Sequence, residues 1–305
     1  MTTSRLEVDL AGIRLRSPVM TASGTFGYGL EYMSLVNFDD LGAIVVKGTT
    51  LEPWAGNPAP RIWETPAGML NAIGLENCGV EAFIQDRLPQ ISAYDLPIIV
   101  NVAGRSVAEY PKVIERLETA AGIAGYELNI SCPNVQEGGM AFGTDPEMAA
   151  SVTRAAKAVA TRPVIVKLSP MVTDIRSIAM AVEAAGADAI SLVNTFVGMA
   201  IDIYQRRPVL GNLVGGLSGP AIRPLAVHMV WQVSQVVGIP VIGIGGIDSW
   251  QSALEFVLAG AQAIAVGTGF FVNPAVAREI NQGLENYMED EGISTINDLV
   301  GAAWQ

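Results

Sequence analysis

Eight short apolar runs recur along the chain, and each is followed by a stretch with amphipathic, helix-compatible patterning. The runs are Pro18–Ala22, Ala43–Lys47, Ile98–Val102, Glu127–Ser131, Val164–Leu168, Ala189–Asn194, Val241–Gly245 and Ala263–Gly267. Most read as continuous Val, Ile and Leu rather than as an apolar–polar alternation, the pattern of parallel strands covered on both faces. Amphipathic stretches lie between them, at Tyr110–Ala121, Pro146–Ala160, Ile175–Ala185, Pro220–Val237 and Ser249–Ala259. Asp145 ahead of Pro146 is an N-cap followed by proline in the first turn, and Gly219–Pro220 is a similar start. Ala-Gly-Ala occurs at Ala185–Ala187 and again at Ala259–Ala261, where glycine supplies a left-handed helix terminus before the next strand. Eight β/α units in one chain predict a closed (β/α)8 barrel, a TIM barrel of the α/β class spanning 1–305 as a single domain.

Two features interrupt this rhythm. Leu6–Arg16 predicts an N-terminal hairpin turning at Ala11–Gly12 and plugging the N-terminal mouth of the barrel. Thr49–Glu76 and Phe196–Leu217 are long, rich in glycine and proline, and follow the second and sixth strands. Loops of that length in a compact domain are functional or disordered. As long βα-loop insertions they fall on the face where barrel active sites form, and are expected to act as lids or partner-binding elements.

Composition narrows the class. With 305 residues, 50% hydrophobic and 16% charged, the chain can bury a large core. A formal net charge of −12 argues against nucleic acid, whose backbone demands basic patches. Two cysteines without paired spacing give neither a disulfide framework nor a Cys-ligated cluster held by this chain alone. The opening MTTSRLEVDLAG lacks the apolar core of a signal peptide, and no apolar run approaches membrane-spanning length, so a cytoplasmic chain without membrane association is expected.

Chemistry in such a barrel sits at the C-terminal ends of the strands. Those ends read Ala22–Ser23–Gly24, Lys47–Gly48, Asn101, Asn129 with Cys132, Lys167, Asn194–Thr195, Gly245–Gly246 and Gly267–Thr268. Two lysines and three asparagines at one otherwise apolar mouth are costly unless an anionic ligand satisfies them. Glycines after strands seven and eight let backbone N–H groups approach a phosphate, which barrels frequently bind there. Gly243-x-Gly245 does not continue as G-x-G-x-x-G, since Asp248 takes the sixth position; a Rossmann NAD site is not supported. Lys167 has two readings. It suits a Schiff-base lysine, given burial or a second cation to suppress its charge, or a charged group facing the pyrimidine edge of a flavin. Lys47 suits a phosphoryl group, a ribityl oxygen or a substrate carboxylate.

Asn129–Ile–Ser–Cys–Pro–Asn134, Asn71–Ala–Ile–Gly–Leu75, Lys47–Gly–Thr–Thr50, Val193–Asn–Thr195 and the two glycine pairs together resemble class 1 dihydroorotate dehydrogenases, in the right order through nearly the whole chain. Glu137–Gly–Gly–Met–Ala–Phe–Gly143 resembles the class 1B catalytic subunit more than the fumarate-using class 1A enzyme. The resemblance implies FMN in the barrel mouth and oxidation of dihydroorotate to orotate in pyrimidine biosynthesis, with Cys132 as the base that removes the C5 proton while hydride leaves C6. It implies that Ser23, Lys47, Gly48, Asn101, Asn129 and Lys167 hold FMN, together with Val193, Gly219, Gly245, Gly246, Gly267 and Thr268. Lys47, Asn71, Ala72, Ile73, Gly74, Leu75, Asn129, Asn194 and Thr195 would hold the substrate; asparagine offers both donor and acceptor to a ring that alternates them. No metal ligand is expected. It further implies electron transfer to NAD through a partner subunit carrying FAD and a [2Fe–2S] cluster, with a homodimer of this chain inside a heterotetramer.

Competing readings are a dihydropyrimidine dehydrogenase subunit, against which Asn134 and the cysteine-poor termini count, and a Lys167 aldolase. Cys78 departs from the proline expected in relatives and reads as a small filler at a helix start. His228, the single histidine, reads as a helix-face residue well away from any strand end.

Overall fold

The computed structural model describes residues 4–131, 136–137 and 140–304. Eight strands form one parallel sheet: β1 (Val19–Thr21), β2 (Ile44–Thr49), β3 (Ile98–Val102), β4 (Gly125–Asn129), β5 (Val164–Lys167), β6 (Ala189–Leu192), β7 (Val241–Ile244) and β8 (Ala263–Val266). Each pairs in parallel with its sequence neighbours, and β8 returns to β1 through Ile264↔Val19, Ala265↔Met20 and Val266↔Thr21. The seam between β1 and β2 is thinner, a bridge at Met20↔Ala43. There the Thr21 hydroxyl stands in for ladder bonds, accepting from Val45 N at 2.9 Å and facing Val45 O at 3.3 Å. The sheet closes into the predicted barrel.

Strand interiors are buried throughout, as continuous apolar runs require. The helices that follow lay one apolar stripe on this sheet. In Glu109–Glu118, for example, Tyr110, Val113, Ile114 and Leu117 are buried at i, i+3, i+4, i+7. Pro146–Lys157 starts as predicted: the Asp145 carboxylate accepts from Met148 N at 2.9 Å, a cap contributing about 1 kcal/mol. Gly186 and Gly260 both take positive φ, as the two Ala-Gly-Ala helix ends demand. His228 is exposed on the outer helix Arg223–Ser234.

The N-terminal hairpin pairs Val8–Leu10 with Ile13–Leu15 across Ala11 and Gly12, both with positive φ. Its Leu10 and Leu15 are buried, and Ile13 lies against Gly125, the first residue of β4, which places the hairpin at the N-terminal end of the barrel.

The two long loops are more ordered than their composition suggests. Ile62–Thr65 and Gly68–Asn71 from the loop after β2 join Phe196–Gly198 and Gly215–Ser218 from the loop after β6 in one four-stranded antiparallel sheet. Neither loop is free-standing. Each completes the other's ladder over the C-terminal face. Among the described residues, no helix is long and apolar enough to cross a membrane.

Candidate active site

A cavity of about 760 Å³ opens at the C-terminal ends of the strands, beneath the loop sheet. Its volume falls in the range of small-molecule and cofactor sites. Ser23, Lys47, Gly48, Asn129, Lys167, Val193, Gly219, Gly245, Gly246, Gly267 and Thr268 all line it. So do Asn71, Ala72, Ile73, Gly74, Leu75, Asn194 and Thr195. Asn101 does not: it is fully buried under the floor, donating to Glu127 at 2.6 Å and accepting from Asn129 Nδ2 at 3.5 Å. Cys132 and Asn134 lie outside the described residues.

Local irregularities aim these groups. Between β2 and β3 the register slips, so that Lys47 and Gly48 stand opposite the single residue Asn101. Such a bulge re-aims a side chain, and here Lys47 turns half-buried into the cavity, 5.8 Å from the centre of the Tyr28 ring. Burial first, and then the Cys78 thiol, raise the Tyr28 phenol above its ordinary range. Cys78 sits at the start of a helical run as expected, yet it is more than a filler, since its sulfur lies 3.2 Å from the Tyr28 hydroxyl.

The stretch Asn71–Leu75 ends on Leu75, a non-glycine residue at φ +55°. Asn77, buried beside it, donates to Leu75 O at 2.8 Å while its carbonyl accepts from Gly79 N and the Thr50 hydroxyl. That one side chain ties the strained turn to the end of β2. Asn57 does the same from the other side, donating to Ala72 O at 3.1 Å. Opposite, Asn194 donates to the Ser131 hydroxyl, which lies 3.2 Å from Asn129 Oδ1.

The wall formed by β7, β8 and β1 is built of backbone. Gly245 and Gly246 take φ of 131° and 76°, a turn that side chains rarely adopt. Gly24 and Gly267 line the cavity without needing glycine for conformation: a Cβ on Gly24 would meet nothing within 4 Å, and one on Gly267 nothing nearer than 3.6 Å. Space left empty by two glycines at a cavity wall is a cradle for close approach of a ligand to the main chain.

Across from it stands a buried polar cluster, in which the sequence points to Ser23, Asn101 and Lys167 but not to Glu127 or Ser191. Glu127, 3% exposed, accepts from Asn101 at 2.6 Å and Ser191 at 2.8 Å, with the Lys167 ammonium 3.9 Å away. Lys167 in turn approaches the Ser23 hydroxyl at 3.4 Å. The available signal was a lone acid inside the apolar run Gly125–Leu128. Its partner answers one reading of Lys167: a carboxylate beside the amine is the opposite of the second cation that a Schiff-base lysine uses.

Residues 5–288 match the family model described as dihydroorotate dehydrogenase. The chain belongs to the dihydroorotate dehydrogenase family. It is 56% identical over 296 residues to a protein of Desulforudis audaxviator, covering 97% of this chain and 96% of that one. It is also 56% identical over 301 residues to one of Alkaliphilus oremlandii, covering 99% of both. Each is named dihydroorotate dehydrogenase B (NAD(+)), catalytic subunit. A crystal structure of the Eimeria tenella enzyme in complex with ferulenol superposes with a TM-score of 0.83, covering 100% of this chain and 90% of that one at 21% identity, a likeness of fold. Among the described residues no cluster of three or more His, Cys, Asp or Glu is placed to hold a metal ion.

Proposed function

We propose that this chain is the FMN-binding catalytic subunit of an NAD-linked, cytoplasmic dihydroorotate dehydrogenase, its residues 1–305 forming one barrel domain that oxidises dihydroorotate to orotate in pyrimidine biosynthesis. The observation that carries the reading is the two-sided cavity: a glycine wall open to close approach on one side, and Lys47, Lys167, Asn71, Asn129 and Asn194 on the other.

The donor set suits FMN. Gly24 and Gly267 leave room for the main chain to meet a phosphate, Gly245 and Gly246 supply the turn that lines the same wall, the Thr268 hydroxyl stands beside them, and Lys167 supplies positive charge to the opposite wall. When bound, FMN supplies the acceptor for the hydride that leaves C6. The chain's own residues do the rest. Cys132, three residues beyond Asn129, takes the C5 proton on its sulfur. Asn71, Asn129 and Asn194 orient the ring, each able to donate and accept, while Lys47 holds the substrate carboxylate. The loop sheet excludes water from above. Electrons then pass to NAD through a partner subunit carrying FAD and a [2Fe–2S] cluster, in a heterotetramer built on a homodimer of this chain.

The test is anaerobic mixing of FMN-loaded protein with dihydroorotate. Wild type is expected to bleach its visible flavin band, faster as pH rises toward the ordinary thiol range near 8.5. Cys132→Ala is expected to keep FMN and slow the bleaching on the order of 100- to 10,000-fold. Bleaching of Cys132→Ala at the wild-type rate would remove the assigned base; failure of wild type to bind FMN would remove the whole reading. Iron and FAD co-purifying from the native cell test the partner.

A further inference from the structure

Glu127 is the buried charge for which the reaction has no use so far. It does not line the cavity, and Asn129, two residues further along the same face of β4, stands between it and the opening. It therefore cannot touch substrate. Burying a carboxylate is costly unless partners compensate it, and these come from three other strands: Asn101 on β3, Lys167 on β5 and Ser191 on β6. Those strands are already joined by main-chain ladders, so tying them together does not account for an acid.

The geometry separates two jobs. Short hydrogen bonds of 2.6 and 2.8 Å from Asn101 and Ser191 fix the carboxylate. Lys167, at 3.9 Å from Glu127 and 3.4 Å from Ser23, is held loosely by both and lines the cavity. The ammonium thus lies between a fixed negative charge below and the ligand space above. We propose that Glu127 is a positioning residue: it holds Lys167 at the cavity wall and partly cancels its field, setting how strongly that wall favours the electron-rich form of the bound cofactor. This rests on FMN occupying the cavity.

The test compares the midpoint potential of bound FMN in wild type and Glu127→Gln. The amide keeps the shape and hydrogen bonds of the site, because the Ser191 oxygen can accept where it formerly donated. With the negative charge gone, reduced FMN should gain about tenfold in affinity over oxidised FMN, a positive shift of about 30 mV for a two-electron couple. The Kd of oxidised FMN, followed by quenching of its fluorescence, should move less than that of the reduced form. An unchanged or more negative potential overturns the proposal. Should Glu127→Gln not accumulate as folded protein, Glu127→Asp keeps the charge but draws it back from Lys167; its potential is expected above that of wild type, and an equal or lower potential overturns the proposal. Wild type that binds no FMN would sink the functional reading as well, whereas FMN-loaded wild type with an unshifted variant sinks this inference alone.

Discussion

Tyr126 and Glu127 are neighbours in β4, yet they enter two ionic networks on opposite faces of the barrel wall. Tyr126 points to the helices. There Arg162 donates to its hydroxyl at 2.8 Å, to Glu118 at 2.9 Å and to Ala120 O at 2.9 Å, while Thr161 gives Glu118 two more bonds at 2.8 and 2.7 Å. Glu127 points inward, where its ion pair with Lys167 spans 3.9 Å. The outer network is short, multiply bonded and closed on itself, joining the end of the helix Glu109–Glu118 to the approach to β5. The inner one is slack at the lysine and ends at a cavity. The same residue types serve two ends: charge saturated by protein partners stabilises the fold, and charge left partly unsatisfied toward an opening awaits a ligand.

If that distinction holds, damage to the two faces should separate cleanly in experiment. The largest effect is expected inside. Asn129→Ala removes a cavity-lining amide from the inner face of β4, while its carbonyl still accepts from Tyr110 at 2.8 Å. Losing hydrogen bonds made to a bound ligand costs about 2–3 kcal/mol, so kcat/KM for dihydroorotate should fall roughly 100-fold. The urea midpoint should scarcely move. A large stability loss with intact kinetics would erase the contrast between the faces.

The next effect belongs to the outer network and depends on pH. Burial opposes the charge on Glu118, but bonds from the Thr161 backbone and hydroxyl, then Arg162 and Tyr126, outweigh it and hold its carboxyl below the ordinary range. A group depressed in the folded state stabilises it fully above the unfolded-chain value of 4.5 and loses that contribution as pH falls through its lower folded value. Glu118→Gln should therefore cost about 2 kcal/mol at neutral pH, and the gap to wild type should close in acid below that range. Urea titrations on both sides of it, with flavin reduction unaffected, check the claim. A gap that widens in acid would reverse the assigned sign.

How much of the fold is legible in the sequence follows from the same strand. All eight barrel strands stand out because burial on both faces leaves no polar alternation to blur them. The apolar run Glu127–Ser131 corresponds to the strand Gly125–Asn129. A shift of two keeps the inward parity, so Asn129 still meets the cavity, but it turned Glu127 into an opening residue and hid its place in the middle of the wall. Asn101 is a different case: the run Ile98–Val102 coincides with β3, but Asn101 stands one residue short of its end and is spent on Glu127 beneath the cavity floor. The loop sheet was illegible for a different reason. Gly215–Ser218 finds its partner near Asn71, roughly 150 residues away, and glycine-rich pieces of three or four residues carry no local period to announce a strand. Which cavity residues meet cofactor and which meet substrate came from family resemblance, because a ring of lysines and asparagines specifies polarity and not orientation.

The smallest expected effect isolates one bond of the outer network. Burial raises the Tyr126 phenol well above its ordinary range, although Arg162 pulls the other way, so the hydroxyl stays protonated across the working pH and both accepts from Arg162 and donates to Glu118. Tyr126→Phe removes that oxygen and keeps the buried ring. Arg162 retains Glu118 and Ala120 O, and Glu118 retains Thr161, so no charge is orphaned. The loss should be about 1 kcal/mol, the ordinary net contribution of a hydrogen bond, without change in flavin potential or reduction rate. Tyr126 and Glu127 share a peptide bond, which makes this the strictest comparison the strand offers. A tenfold change in reduction rate from the outward residue would mean that the wall transmits what happens behind it, and the inner network's slack would then be set from outside the barrel.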